Sequence, residues 1–167
     1  MNLFLLRHGR AVERGTAGLA TDAARALIPE GRRELRLIAR AMLKLDLTFD
    51  LILASAFLRA KQTAELVAAE LKWKQRLRFA DELQPGGDAS KLIRKVATLK
   101  PVPENVLLVG HEPDLSELIS LLVSGKPGAG FALKKGGLAK LEVEKLGAGK
   151  CASLAWLLTP RQMKLIV

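Results

Sequence analysis

Three short apolar runs punctuate the first two thirds of the chain. Residues 3–6 read Leu-Phe-Leu-Leu and stop at Arg7-His8-Gly9; residues 51–54 read Leu-Ile-Leu-Ala after Asp50; residues 106–109 read Val-Leu-Leu-Val between Asn105 and Gly110. None of them alternates polar with apolar, which is the pattern of a strand covered by helices on both faces. Helical periods lie between them. Leu35, Ile38, Met42 and Leu45 form one stripe, with Arg32, Arg36 and Arg40 on another face. Ala60, Ala64, Val67, Ala68 and Leu71 form a second, and Leu115, Leu118, Ile119, Leu122 and Val123 a third. The third has Pro113 near its start, where a missing N–H costs nothing, and Gly125 just past its end.

Weaker patterns fill the remainder. Residues 76–80 suggest a short strand, followed by a Pro85-Gly86-Gly87 turn and a helix with Asp88 as N-cap. Residues 138–143 and 152–158 predict an antiparallel pair, with Gly147 and Gly149 marking the turn between them. Residues 9–29 lack clean periodicity and read as a long loop leading into the first helix, placed to frame a site. This alternation predicts an α/β fold, a three-layer sandwich with a mostly parallel central sheet flanked by helices, in a single domain over residues 1–167.

Composition narrows the classes. A chain of 167 residues buries enough surface to fold without staples, and 49% hydrophobic with 26% charged residues argues against a disordered or fibrous protein. The single Cys151 suits a reducing compartment and reads as a small buried hydrophobe. The apolar start ends at Arg7, too early for a signal peptide, and no run approaches a membrane span. The expectation is a cytoplasmic protein, off the membrane, and a monomer because no long apolar stripe is left unassigned. Lys and Arg number 27 against 17 Asp and Glu, a formal charge of +10, so an anionic partner is expected. A basic nucleic-acid-binding module is the reading from another class. Against it stand 4% aromatic residues, no Tyr, and basic residues scattered over several helices.

Open parallel sheets bind ligands beyond the carboxyl ends of their strands. That rule selects Arg7-His8-Gly9, Ser55 and Gly110-His111-Glu112, and both histidines of the chain fall there. A neutral imidazole can attack phosphorus, and the planar fork of arginine matches phosphate oxygens while staying charged. Phosphoryl transfer asks mainly for positioning and positive charge. Zinc is the rival. It would need Glu112 or Glu82 as a third ligand, and arginine beside the cation opposes it, so no metal or cofactor is expected.

At these residues the chain resembles the histidine phosphatase superfamily. Leu6-Arg7-His8-Gly9 is similar to its signature at the end of the first strand, and residues 27–31, Leu-Ile-Pro-Glu-Gly, to its Leu-Thr-Pro-x-Gly motif. Residues 55–64 match Ser-x-x-x-Arg-x-x-Gln-Thr-Ala. Residues 110–115, Gly-His-Glu-Pro-Asp-Leu, and 81–88 look like the short SixA-type phosphohistidine phosphatases. The resemblance runs from Asn2 to about Pro160 and implies a phosphoglycerate-mutase-like fold without large insertions. It makes His8 the nucleophile and Arg7, Arg59 and His111 the phosphate pocket. It implies a metal-independent protein phosphatase in signal transduction, which removes phosphate from phosphohistidine through a phospho-His8 intermediate. Histidine phosphotransfer domains or sugar-phosphotransferase carriers are the implied partners.

Other assignments follow from position. Glu82, after the third strand, is the candidate general acid, against the reading of a surface carboxylate stabilising nearby arginines. Ser55 is expected to open the second helix as a cap and hydrogen-bond orienter, with Arg59 about one turn in. Asp22 and Arg25 either rim the pocket or pair with each other within the loop. Ile28 stands where the motif has threonine, which removes a capping hydroxyl. A phosphatase for a small phosphomonoester is the alternative within enzymes. A compact chain without an inserted subdomain favours a site open enough for a protein side chain. The basic surface left over is expected to steer acidic phosphoprotein partners.

Overall fold

In the computed structural model, which describes residues 1–18 and 20–167, the three apolar runs are strands β1 (Asn2–Arg7), β2 (Leu51–Ala54) and β4 (Asn105–Gly110). Three more strands, β3 (Leu77–Phe79), β5 (Leu138–Val143) and β6 (Ala152–Leu158), complete one six-stranded sheet in the order β3-β2-β4-β1-β5-β6. The first four strands are mutually parallel where they pair, and β5 and β6 run antiparallel along one edge. Helices α1 (Pro29–Lys44), α2 (Leu58–Glu70) and α5 (Pro160–Lys164) cover one face. Helices α3 (Ala89–Ala97) and α4 (Asp114–Ser124) cover the other.

The unbroken apolar runs now have their cause. Successive side chains of a strand point to opposite faces. In β1 and β4, Phe4, Leu6, Leu107 and Val109 pack toward α1 and α2, whereas Leu3, Leu5, Val106 and Leu108 pack toward α3 and α4. Two separate hydrophobic cores therefore share one sheet, and every residue in the run must be apolar. Burial of each such leucine contributes about 1.5–3 kcal/mol. The register pairs Asn2 with Asn105 and Arg7 with Gly110, and the Asn2 amide donates to the Asn105 side-chain oxygen at 2.7 Å. The two strands thus start and stop level.

Helix boundaries follow the expected signals with some exceptions. Asp88 caps α3 by accepting from the Lys91 N–H, and Gly125 ends α4 at φ 86°. Ile28 gives α1 no side-chain cap, and Pro29 occupies its first turn. Leu45 falls just past the end of α1 and is 37% exposed, so the first stripe is one residue shorter than its periodicity suggested. Ser55 does not open α2: its Oγ accepts from the Phe57 N–H at 3.2 Å, which holds residues 55–57 in a turn and delays the helix to Leu58. Arg59 consequently lies in the first turn of α2. The short α5 carries no readable stripe, and its signal is local: a Thr159–Gln162 capping box with Pro160 in the first turn.

The expected loop over residues 9–29 includes Leu19, which lies outside the described residues. Around it, Ala11 bridges Leu27 and Asp22–Ala24 make a single 3-10 turn, so the segment is anchored at both ends. Cys151 is half-buried, its thiol 3.4 Å from the Gly147 carbonyl, rather than a core residue.

Candidate active site

Because β1 and β4 are parallel neighbours that end level, the residues just beyond them emerge side by side. The His8 N–H donates to the Gly110 carbonyl at 3.1 Å, and the His8 and His111 rings stand 5.1 Å apart between centroids. Both rings are buried, 5% and 2% exposed. Ser55, just past β2, shares a 2.9 Å hydrogen bond with His111 Nε2. It acts as the expected orienter, though not as a helix cap.

The state of His8 can be read from its partners. Its Nδ1 lies 2.8 Å from the Gly9 carbonyl oxygen. A carbonyl only accepts, so Nδ1 carries the proton and Nε2 presents its lone pair. Arg59 Nε–H donates to that Nε2 at 3.2 Å. Burial pushes the His8 pKa down to about 3, aided by the charges of His111, Arg59 and Arg7 and opposed by the Gly9 bond. Burial, with the charge of Arg59, pushes His111 down to about 4. Near neutral pH both rings are uncharged.

Arg59 is 4% exposed and fully engaged. Beyond His8, its Nη1 donates to the Asp22 carbonyl at 2.9 Å and its Nη2 to Asp22 Oδ2 at 3.0 Å. Its guanidinium lies 5.4 Å from the Phe57 ring centroid. Asp22 also receives Arg25 at 2.9 Å and Arg14 at 3.2 Å. Partial burial opposes ionisation of Asp22. The bonds and charges of Arg25, Arg59 and Arg14 outweigh it and hold the carboxyl at about 2. The two readings of Asp22 are therefore both realised, since one carboxylate pairs within its loop and clamps the pocket arginine.

The rest of the residue 55–64 motif ties α2 to its surroundings. Gln62 Oε1 accepts from the Leu27 N–H at 2.8 Å, and Thr63 Oγ1 accepts from the Gly9 N–H at 3.1 Å while donating to the Arg59 carbonyl at 2.7 Å. One threonine thus links the backbone beside His8 to the backbone of Arg59. The glycines are needed for close approach. A Cβ on Gly31 would stand 2.3 Å from the Arg10 carbonyl oxygen, so the start of α1 packs directly on the segment that follows His8.

Arg7 is held differently. Its Nη1 donates to the Leu133 carbonyl at 2.8 Å, while its Nε has no partner. Among the described residues, the buried side-chain nitrogens and oxygens without a hydrogen-bond partner are Arg7 Nε, His111 Nδ1 and Glu112 Oε1. Buried polar atoms are rarely left this way, at about 1–3 kcal/mol each. All three sit at the ends of β1 and β4, where the nitrogens are suited to receive the oxygens of an anion.

Arg7, His8, Arg59 and His111 are thus brought together as the sequence predicts. Glu82 lies in a 3-10 turn (Asp81–Leu83) and lines an adjoining cleft with His111, Leu83, Gly87 and Asp114. Its carboxyl is ion-paired with Lys95, which holds it below the usual carboxylate range. Glu112, considered from sequence only as a metal ligand, accepts from Ser116 Oγ at 2.7 Å and faces Arg7 electrostatically. Among the described residues, no three His, Cys, Asp or Glu side chains gather as a metal-binding set.

Comparison with known proteins places this geometry. A profile of the histidine phosphatase superfamily (branch 1) matches residues 3–85, the part that holds Arg7, His8 and Arg59. Phosphohistidine phosphatase SixA of Escherichia coli (strain K12) is 28% identical over 166 residues, 99% of this chain and 98% of its own. The chain belongs to the histidine phosphatase superfamily. Within that superfamily it is of the SixA type. The solved structure of the protein histidine phosphatase SixA complexed with tungstate matches with a TM-score of 0.85 at 27% identity, over 98% of this chain and 100% of that one. An uncharacterised protein of Picosynechococcus sp. is 35% identical over 142 residues, 84% of each chain. The sandwich described above is the phosphoglycerate-mutase-like fold of these histidine phosphatases, and the similarity supports phosphatase activity. Among the described residues, no helix is long and apolar enough to cross a membrane.

Proposed function

We propose that this protein removes phosphate from a histidine on a phosphoprotein, through a phospho-His8 intermediate and without a metal ion. The observation that carries this reading is the tautomer of His8. Its proton is committed to the Gly9 carbonyl, and its lone pair lies on a buried, neutral Nε2 beside three phosphate-binding candidates. In the first step the Nε2 electron pair forms a bond to phosphorus while the phosphorus–nitrogen bond of the substrate histidine breaks. The substrate imidazole, protonated on its other ring nitrogen, leaves neutral with that bond's electron pair, while His8 keeps its Nδ1 proton and carries the positive charge until the second step. Attack requires Arg59 Nε–H to release Nε2 and turn to a phosphoryl oxygen, where Arg7 and His111 also donate. In the second step a water oxygen attacks phosphorus, the phosphorus–Nε2 bond breaks, and inorganic phosphate leaves with His8 restored.

Glu82 is the proposed proton-transfer group. Lys95 keeps it ionised, so it suits taking the water's proton in the second step better than giving one in the first. A phosphohistidine protonated on its other ring nitrogen needs little acid help, which fits a site where Arg59 and Lys95 hold Asp22 and Glu82 ionised. Similarity to SixA over the whole chain supports the phosphohistidine substrate.

Four measurements test the reading. His8→Ala should abolish turnover of a histidine-phosphorylated protein while leaving the circular dichroism spectrum unchanged, and acid-labile, alkali-stable phosphate trapped on the wild type should map to His8. Full activity of the variant would overturn the mechanism. EDTA should leave turnover unchanged, and strict loss would restore a metal-dependent scheme. A panel of sugar and nucleotide phosphates turned over faster than the phosphoprotein would move the substrate class to small phosphomonoesters.

A further inference from the structure

Half of the net charge of this protein is gathered in one groove. The groove, of about 590 Å³, is lined by Arg7, Arg10, Lys134, Lys135, Arg161 and Lys164, with Glu34 as its one carboxylate. That is a net of +5 out of a formal +10, so the basic excess is not simply spread over helix faces. The cations come from three separate stretches: the segment leaving β1, the loop before β5, and α5. Glu34 braces two of them, lying 3.6 Å from Arg10 and 3.0 Å from Lys164. Lys134, Lys135 and Arg161 are exposed and make no ion pair among the described residues.

The groove is built onto the nucleophile's own backbone. The Gly136 N–H donates to the carbonyls of both Arg7 and His8 at 3.1 Å, and the Arg7 N–H donates to the Gly137 carbonyl at 3.1 Å. Arg7 Nη1 reaches back to the Leu133 carbonyl of the same loop. Gly136 sits at φ +78°, and a Cβ there would stand 3.0 Å from Ile38 Cδ1, so the loop is held against α1 as well. Lys134 and Lys135 are therefore held at a fixed offset from His8, and Arg7 belongs to both the pocket and the groove.

Resting on the phosphoprotein reading above, we infer that this groove docks an acidic patch of the phosphoprotein, beside its phosphohistidine, while the phosphoryl group enters at His8. A groove this open, lined by long flexible cations, suits several carboxylates on a folded surface better than one compact second phosphate. Such charge acts mainly on encounter, so it raises the on-rate and fades as salt screens it.

The test uses the triple variant Lys134→Gln, Lys135→Gln, Arg161→Gln. Its substrates are an acidic phosphocarrier protein phosphorylated on histidine and free phosphohistidine. At low ionic strength the variant should lose about tenfold or more in kcat/KM on the protein, chiefly through KM, and nothing on the free amino acid. Raising salt to half-molar should bring wild type and variant together on the protein. Equal protein turnover by both enzymes at low salt would overturn docking alone. An equal loss on free phosphohistidine would assign the lysines to the phosphoryl pocket and overturn it too. A wild type inactive on histidine-phosphorylated proteins would overturn the substrate reading and the docking site with it. Duplex DNA binding that the variant loses, with phosphoprotein turnover unchanged, would give the groove to nucleic acid instead.

Discussion

Arg59 comes from the first turn of α2 and Arg7 is the last residue of β1, and the protein holds them in opposite ways. Each nitrogen of Arg59 donates to a protein atom: His8 Nε2, the Asp22 carbonyl and the Asp22 carboxylate. Arg7 spends one donor on the Leu133 carbonyl and leaves its buried Nε unpartnered. Asp22 fixes Arg59 in place, and β1 and the loop before β5 fix Arg7. In the proposed mechanism one arginine orients the nucleophile and then exchanges partners. The other keeps a donor ready for the incoming anion. The unpartnered donor of Arg7 can meet developing charge without rearrangement, whereas Arg59 must first leave Nε2.

The contrast can be broken by substitution. Arg59→Ala should have the largest effect, about 10³-fold in kcat, because it removes both a proposed phosphate ligand and the group that hydrogen-bonds Nε2. Arg7→Ala should cost about 10²-fold, since it removes proposed phosphate contacts but leaves the Arg59 bond to Nε2 in place. Steady-state kinetics on free phosphohistidine would compare them, and a larger loss for Arg7 would reverse the assignment. Asp22→Asn should cost less, about tenfold in kcat, because the amide oxygen still accepts from Arg59 without its charge. Its sign is distinctive: losing a carboxylate beside the pocket should lower KM for a phosphorylated substrate even as kcat falls. A raised KM would show that Asp22 does more than position Arg59.

The smallest effects should appear in titration. His8 and His111 have folded pKa values of about 3 and about 4, below an unfolded value near 6.5. The unfolded chain therefore binds protons first as pH falls. The stability from burying neutral imidazoles is complete above about pH 6.5 and is lost as pH drops through 4 and then 3, by up to about 1.4 kcal/mol per pH unit for each ring. Nuclear magnetic resonance can follow both rings, the two histidines of the chain. Burial is the leading cause for each, so Arg59→Ala should raise the His8 midpoint only modestly and Arg7→Ala less. A His8 midpoint near 6.5 in the wild type would remove the physical basis for a neutral nucleophile.

Much of the fold was legible because both of its faces are buried. Residues such as Leu107 and Leu108 belong to different cores, and only a strand sandwiched between helices needs both to be apolar. The same rule placed His8 and His111, since strand ends are where such sheets bind ligands. Side chains that act across space were harder to read. Asp22 clamps Arg59 across a sequence separation of 37, and no periodicity records that contact. Thr63 and Gln62 stood inside a recognisable motif, but their work, holding the Gly9 and Leu27 amides, needs α2 and the loop in three dimensions. The start of α2 was displaced because Ser55 spends its oxygen on a turn and on His111 rather than on a cap. The short α5 was missed because five residues are too few to show a stripe.

The matched beginnings and ends of β1 and β4 make the strands a pair of rulers. The Asn2–Asn105 pair sets a common zero, and each histidine follows six residues later on its own strand. At about 3.3 Å per residue, both rings are delivered to the same height some 20 Å away. Inserting one residue into either ruler would carry its histidine one step too far and turn that strand's leucines to the wrong cores. The spacing of the two halves of the site is thereby locked to the packing of the protein, so chain-length changes in β1 or β4 cannot drift silently: folding and chemistry fail together.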